Sequence, residues 1–369
     1  MQAPKKPAPK KGSPIDPTHP RDLVTPLSPP SQVTRVRFSP DGKLLAAGCF
    51  DATVRRWDLT GGTEKELPPC TGHNGWVTAI AFNTDASAPR LYSIDSWGKL
   101  IARDPKSPDA KPLWEVESAH DGWVRALAVS PDGATVATTG RDRFLRLWSA
   151  KDGAKIGEFA PGSDPLSVAF APDSKSVLVG VLHGVVHQVD VAKLTILRTL
   201  EAKELFSKQK IQEVGGVRVI AFDSTGKRVA VAGAVPESGG FVQCTPCIAI
   251  FDWASGKRTS THKGESEKEG YVTDFRWLPS GEFFMATTSG QPGNGKLVFW
   301  KPGDEKPFFA VAKPNCHSLD LQPDGRRLAV SATNANSSGN GRPKGKDGSP
   351  DYPTNNSPIH LFEMPGAKA

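Results

Sequence analysis

The sequence predicts an all-β chain in which one four-stranded unit recurs along most of its length. Three observations carry that expectation. Residues 39–57 read SPDGKLLAAGCFDATVRRW, and residues 130–148 read SPDGATVATTGRDRFLRLW. Both open on a Pro-Asp-Gly turn, run through two short β-like segments and close on Trp, with an Asp before it at Asp51/Trp57 and Asp142/Trp148. Weaker copies follow at 171–189 (APDSKSVLVGVLHGVVHQV) and 322–332 (QPDGRRLAVSA). A lone hairpin cannot bury both its faces, so a recurring one stacks on its own copies.

Aligning the first strand of each unit gives seven in order: VTRVRF (33–38), VTAIAF (77–82), VRALAV (124–129), PLSVAF (165–170), VRVIAF (217–222), VTDFRW (272–277) and CHSLDL (316–321). Most alternate apolar and polar, as half-buried strands do. Their last residues are spaced 44, 47, 41, 52, 55 and 44 apart. A turn, a second strand, a hairpin, a third strand and a fourth strand are expected after each. That period and content predict a seven-bladed β-propeller with four-stranded antiparallel blades. The last unit stops at IHLF (359–362), a third strand. A closed ring has no long free edge, so the missing fourth strand is expected from RDLVTPL (21–27), pairing the two ends of the chain. The expected boundaries are a disordered Pro/Lys-rich tail over 1–20, the propeller over 21–363 and a short tail over 364–369.

Composition bounds the function classes. The 369 residues include 37% hydrophobic residues and 36 Gly, ordinary globular usage. An apolar run long enough to span a membrane is absent from the sequence, and the N-terminus has lysines without an apolar segment behind them. These features predict a cytoplasmic chain. The net charge is +7, but Lys5, Lys6, Lys10 and Lys11 carry four of those charges, so a global charge argument for nucleic acid fades. Five Cys do not suggest a disulfide framework. Cys244 and Cys247 form a CxxC without a second pair or zinc-spaced His, and a β-rich run follows, so a structural role is expected and their redox state is left open. Gly290, Gly295 and Lys296 have phosphate-loop spacing, but Leu297 stands where magnesium binding needs Ser or Thr. The repeat explains them as a hairpin loop. No cofactor or metal is implied.

On these residues the chain resembles the WD-repeat β-propeller family over about residues 32–362, in a bacterial style. Trp57-Asp58 is the signature dipeptide and Gly72-His73 resembles the opening Gly-His. The resemblance implies a hydrogen-bonded tetrad, complete in unit three as His120, Thr138, Asp142 and Trp148. Other units depart from it. Unit one has Ala47 in place of Ser/Thr, and unit two keeps His73 and Ser93 but puts Trp97 and Arg103 at the Asp and Trp positions. Unit four has Val179, His183 and Val189, and units five and seven close on Phe251 and Phe362. The resemblance further implies a non-catalytic scaffold for a protein or peptide partner, monomeric, with nucleic acid and membrane not expected.

The partner face is read from loops and from one alignment position. Long second-to-third-strand loops are expected at 233–246, 289–295 and 333–358, with long entries at 201–215 and 256–270, all on one face. On that face the residue preceding each first strand aligns as Gln32, Trp76, Trp123, Asp164, Gly216, Tyr271 and Asn315. The candidate partner-binding set is Trp76, Trp123 and Tyr271, with Arg141 and Asp164. Aromatics there serve either as interface anchors or as lids folded over their own blades. Two other classes stay open: a hydrolase- or lactonase-like enzyme, which needs carboxylates or His converging at the channel mouth, and a weak polyanion binder.

Overall fold

Blade one shows how the unit forms. It contains Val33–Phe38, Leu44–Cys49, Val54–Asp58 and Lys65–Cys70, each antiparallel to the next. The Pro-Asp-Gly turn locks the first pair. Asp41 accepts from Ser39 Oγ at 2.6 Å and Lys43 N at 3.1 Å, while Gly42 takes φ +67°. That left-handed conformation suits Gly, and Ser174 of unit four adopts it at φ +60°. The computed structural model describes residues 20–364 apart from 24, 62, 108, 110, 210–211, 238–242, 291–293 and 334–356.

Among the described residues the strands form seven four-stranded antiparallel sheets and one two-stranded hairpin. The molecule is a seven-bladed propeller. The first strands line a central channel. Fourth strands such as Lys65–Cys70 and Lys155–Phe159 are mostly exposed. Seven apolar clusters hold the ring, one at each blade-to-blade interface. In one, Val36, Leu45 and Trp57 of blade one meet Ala329, Ile359 and Leu361 of blade seven. This answers what each hairpin packs against: the next copy.

The ring closes as the sequence predicts. Arg21–Asp22 pairs antiparallel with Ile359–Glu363, Leu23 N donates to Leu361 O at 2.8 Å, and Leu27 exchanges two bonds with Ile359 at 2.8 and 3.0 Å.

Two expected loops are different. Residues 233–236 and 244–246 lie in nine-residue strands, Arg228–Pro236 and Cys244–Asp252, whose ladder runs out to Pro236 opposite Cys244. The insertion extends a hairpin whose two strands are buried along most of their length. The entry over 201–215 holds a 3-10 turn, Lys203–Leu205, and a hairpin of Phe206–Gln209 with Gln212–Gly215. Buried Leu205 anchors that hairpin between blades four and five. Most of 333–358, residues 291–293, and the tails 1–19 and 365–369 lie outside the described residues.

Candidate functional site

The second residue of each aligned first strand points into the channel mouth. Thr34, Thr78 and Thr273 come from blades one, two and six, Arg125 and Arg218 from three and five, and Leu166 and His317 from four and seven. All seven line one cavity of ≈ 410 Å³. In five blades a β-bulge falls at this residue, which re-aims its side chain out of the ladder. Part of this ring is used by the fold. Thr34 Oγ1 donates to Val77 O of blade two at 2.5 Å, and Thr273 Oγ1 to Cys316 O of blade seven at 2.7 Å. Each hydroxyl thus latches its blade to the next. Burial, with Arg35 beside it, pushes His317 down to about 4, so its ring is neutral near pH 7.

Below the mouth the channel is charged. Asp274 accepts from Arg37 at 2.8 Å, Arg276 at 3.1 Å and Ser318 Oγ at 2.6 Å. Asp320 accepts from Arg276 at 2.5 Å and from Phe38 N at 2.7 Å. Burial opposes ionisation of Asp274, but Arg37, Arg276 and Arg35 outweigh it and hold the carboxyl far below the usual range.

The rim carries the aromatics. Trp76 and Trp123 are 43% and 39% exposed. Phe50 of blade one stacks on Trp76 of blade two with centroids 4.4 Å apart and planes 3° from parallel, and Trp76 meets Trp123 of blade three edge-on at 5.4 Å. Backbone bonds place them, since Phe50 N donates to Gln32 O at 2.9 Å and Arg141 N to Trp123 O at 2.8 Å. Tyr271 lines the same cavity under the Arg218 guanidinium, which lies 4.6 Å from its ring centroid. Burial, followed by Cys244, pushes its hydroxyl up to about 12. Arg141 is exposed, and Asp164 is bound by Arg143 at 2.9 Å. Asn315 is buried, donating to Thr333 Oγ1 at 3.2 Å, so this seventh aligned position faces inward. Sequence reasoning missed Phe50, because it belongs to the hairpin rather than the aligned position. It also missed the bulge ring, although the second letter of each aligned run spells it.

The unit-three residues meet as the resemblance implies. Trp148 Nε1 donates to Thr138 Oγ1 at 2.9 Å, Thr138 Oγ1 lies 2.8 Å from His120 Nε2, and His120 Nδ1 lies 2.9 Å from Asp142. Gly140 leaves the room, since a Cβ there would meet His120 Nδ1 at 2.4 Å. Unit two requires a correction. Asp95, not the residue at Trp97, supplies the carboxylate, 3.2 Å from His73 Nδ1, with Ser93 Oγ 2.7 Å from Nε2. Asp95 occupies the register position of Gly140, opposite Val77 as Gly140 is opposite Val124, so counting back from the closing residue misplaces it. Trp97 is 70% exposed instead. Arg103 takes the Trp role, donating to Ser93 Oγ at 3.3 Å.

Cys244 and Cys247 are free, buried and three positions apart on one regular strand, so their side chains leave on opposite faces and cannot bridge. Lys296 sits on a strand and donates to Glu269 at 2.8 Å. Among the described residues no helix is long and apolar enough to cross a membrane.

With this geometry in place, comparison with known proteins adds the following. A family model described as "WD domain, G-beta repeat" matches residues 22–58 and 111–149. The chain is similar to small ribosomal subunit protein RACK1y of Oryza sativa subsp. japonica, 32% identical over 102 residues, 28% of this chain and 30% of the relative. It is also similar to telomerase protein component 1 of Rattus norvegicus, 26% identical over 321 residues, 84% of this chain and 10% of the relative. Apoptotic protease-activating factor 1 of Rattus norvegicus is 31% identical over 153 residues, 38% of this chain and 12% of the relative. The aligned stretches thus span a third or less of each of these relatives.

Proposed function

We infer that this chain is a WD-repeat β-propeller and a non-catalytic binding scaffold whose partner, a protein or peptide segment, docks on the channel mouth. Trp76, Trp123 and Tyr271 are its anchors, with Arg141 and Asp164 at the rim. The observation that carries the reading is the Phe50–Trp76–Trp123 stack, which holds two indoles in fixed orientation while leaving about two-fifths of each in solvent. Anchors of this kind lose little freedom on binding, so more of their contact energy reaches the affinity. An enzyme at this mouth would need an available carboxylate or histidine. Asp274 is taken by two guanidiniums and a hydroxyl, and His317, pushed down to about 4 by burial and Arg35, is a poor proton acceptor near pH 7.

The test is the Trp76→Ala/Trp123→Ala/Tyr271→Ala variant, compared with wild type by melting temperature and by recovery of partners from lysate. A folded variant that loses specific partners is expected, each anchor contributing about 2 kcal/mol or more to binding. Undiminished recovery by a folded variant overturns the reading, as does a variant that cannot fold, because the aromatics would then be core.

A further inference from the structure

Two arginines of the channel-mouth ring find no counter-charge within the fold, although Arg218 stacks on Tyr271. Where blades one and six place a Thr that latches the next blade, blades three and five place Arg125 and Arg218. The Nε atoms of both are buried without a hydrogen-bond partner. Among the described residues neither forms an ion pair with a carboxylate, whereas Arg37 and Arg276 deeper in the channel are satisfied by Asp274 and Asp320. Asp164, whose charge acts on Arg125, is bound by Arg143. Only Leu166 of blade four stands between the two arginines on the ring, and it cannot neutralise either. Desolvating guanidinium donors and leaving them unpaired is unfavourable, and proteins break such local rules at functional sites.

Resting on the scaffold reading, we propose that the mouth is selective for an acidic peptide: an Asp or Glu side chain of the partner enters between Arg125 and Arg218, while a neighbouring apolar residue lies on Trp76 and Trp123. A guanidinium offers a planar fork of donors that matches a carboxylate, and two of them suit one buried acid. The cavity of ≈ 410 Å³ admits one such side chain with its backbone. Burial and the like charges of Arg218 and Arg141 weigh against the charge on Arg125, which a bound carboxylate would relieve.

The experiment selects random displayed heptapeptides on the immobilised full chain. Recovered sequences are expected to carry Asp or Glu beside an aromatic or Leu. The most enriched peptide, labelled and measured by anisotropy, should bind at least about tenfold more weakly as its Asn or Gln isostere. It should weaken at least about tenfold against Arg125→Gln/Arg218→Gln, whose melting temperature falls only by the loss of the Arg218–Tyr271 contact because no intramolecular ion pair is lost. Should that variant unfold, Arg125→Lys/Arg218→Lys replaces it; part of the affinity is retained if the pocket is acid-selective, and acid-dependent binding left at the wild-type level overturns the proposal. Recovery without an acid preference overturns it, as does acid-dependent binding that ignores both arginines. If Trp76→Ala/Trp123→Ala still abolishes binding in those cases, the scaffold reading stands and the acidic pocket alone falls. Binding of oligothymidylate through the two arginines, with no peptide recovered, overturns both.

Discussion

Trp148 and Arg103 do the same work in neighbouring blades: each donates an N–H to the hydroxyl that orients a buried histidine. Replacing Trp148 with Phe keeps most of the volume and removes the donor. The stability loss expected from chemical denaturation is about 1–3 kcal/mol. A neutral result would mean that Thr138 and His120 are held without it. The histidines also set a pH dependence. Burial lowers His73, His120 and His317, the last to about 4. A base whose folded value lies below its unfolded value binds its proton more readily in the unfolded chain. Stability is therefore full above about pH 6.5 and declines as pH falls toward 4. Asp142 and Asp274 are depressed, and their contributions are lost only below about pH 4, so the two windows separate. Denaturation midpoints followed from pH 7 to 4.5 should fall for wild type and fall less for His317→Gln; parallel curves would refute the assignment.

At the scale of the element, the closing strand is the sharpest case. Arg21–Asp22 alone is short, but Leu23 and Leu27 continue the pairing and pack on the cluster between blades seven and one. A chain starting at residue 29 should be less stable than one starting at residue 20 by about 2–4 kcal/mol, the cost of unpairing that edge and exposing two leucines. Equal melting of the two truncations would show that the ring does not depend on this strand. The same scale explains the extended hairpin of blade five. The sequence leads one to expect a loop over 233–246, but residues 233–236 and 244–246 belong to the two strands. Both long strands are buried along most of their length, and doubly buried strands do not alternate.

For the whole molecule, the polar closure matters as much as the strand. Asp274 of blade six binds Arg37 of blade one and Ser318 of blade seven, and Arg276 of blade six binds Asp320 of blade seven. Three blades that meet where the chain ends join are thus tied through the channel wall. Asp274→Asn leaves Arg37 without its counter-charge while Arg276 keeps Asp320, and a loss of roughly 3 kcal/mol is expected in equilibrium unfolding. A mild effect comparable to a surface pair would show that the channel is wet enough to solvate those guanidiniums.

The sequence by itself determined the architecture and the number of blades, because the strand pattern repeats at a period that local patterning records, and the closing strand, because the last unit is one strand short. It also picked out Trp76 and Trp123, through an alignment position that the period made visible. Only the tertiary structure decided what surrounds them. Phe50 reaches Trp76 from a neighbouring blade, Asp95 replaces the residue that counting selects, and one side chain of each blade, re-aimed by a bulge in five of them, meets the others at a common mouth. These are relations between copies, set by register and by packing around the ring. A linear repeat carries the unit, and the angle at which seven units meet settles which residues share a site.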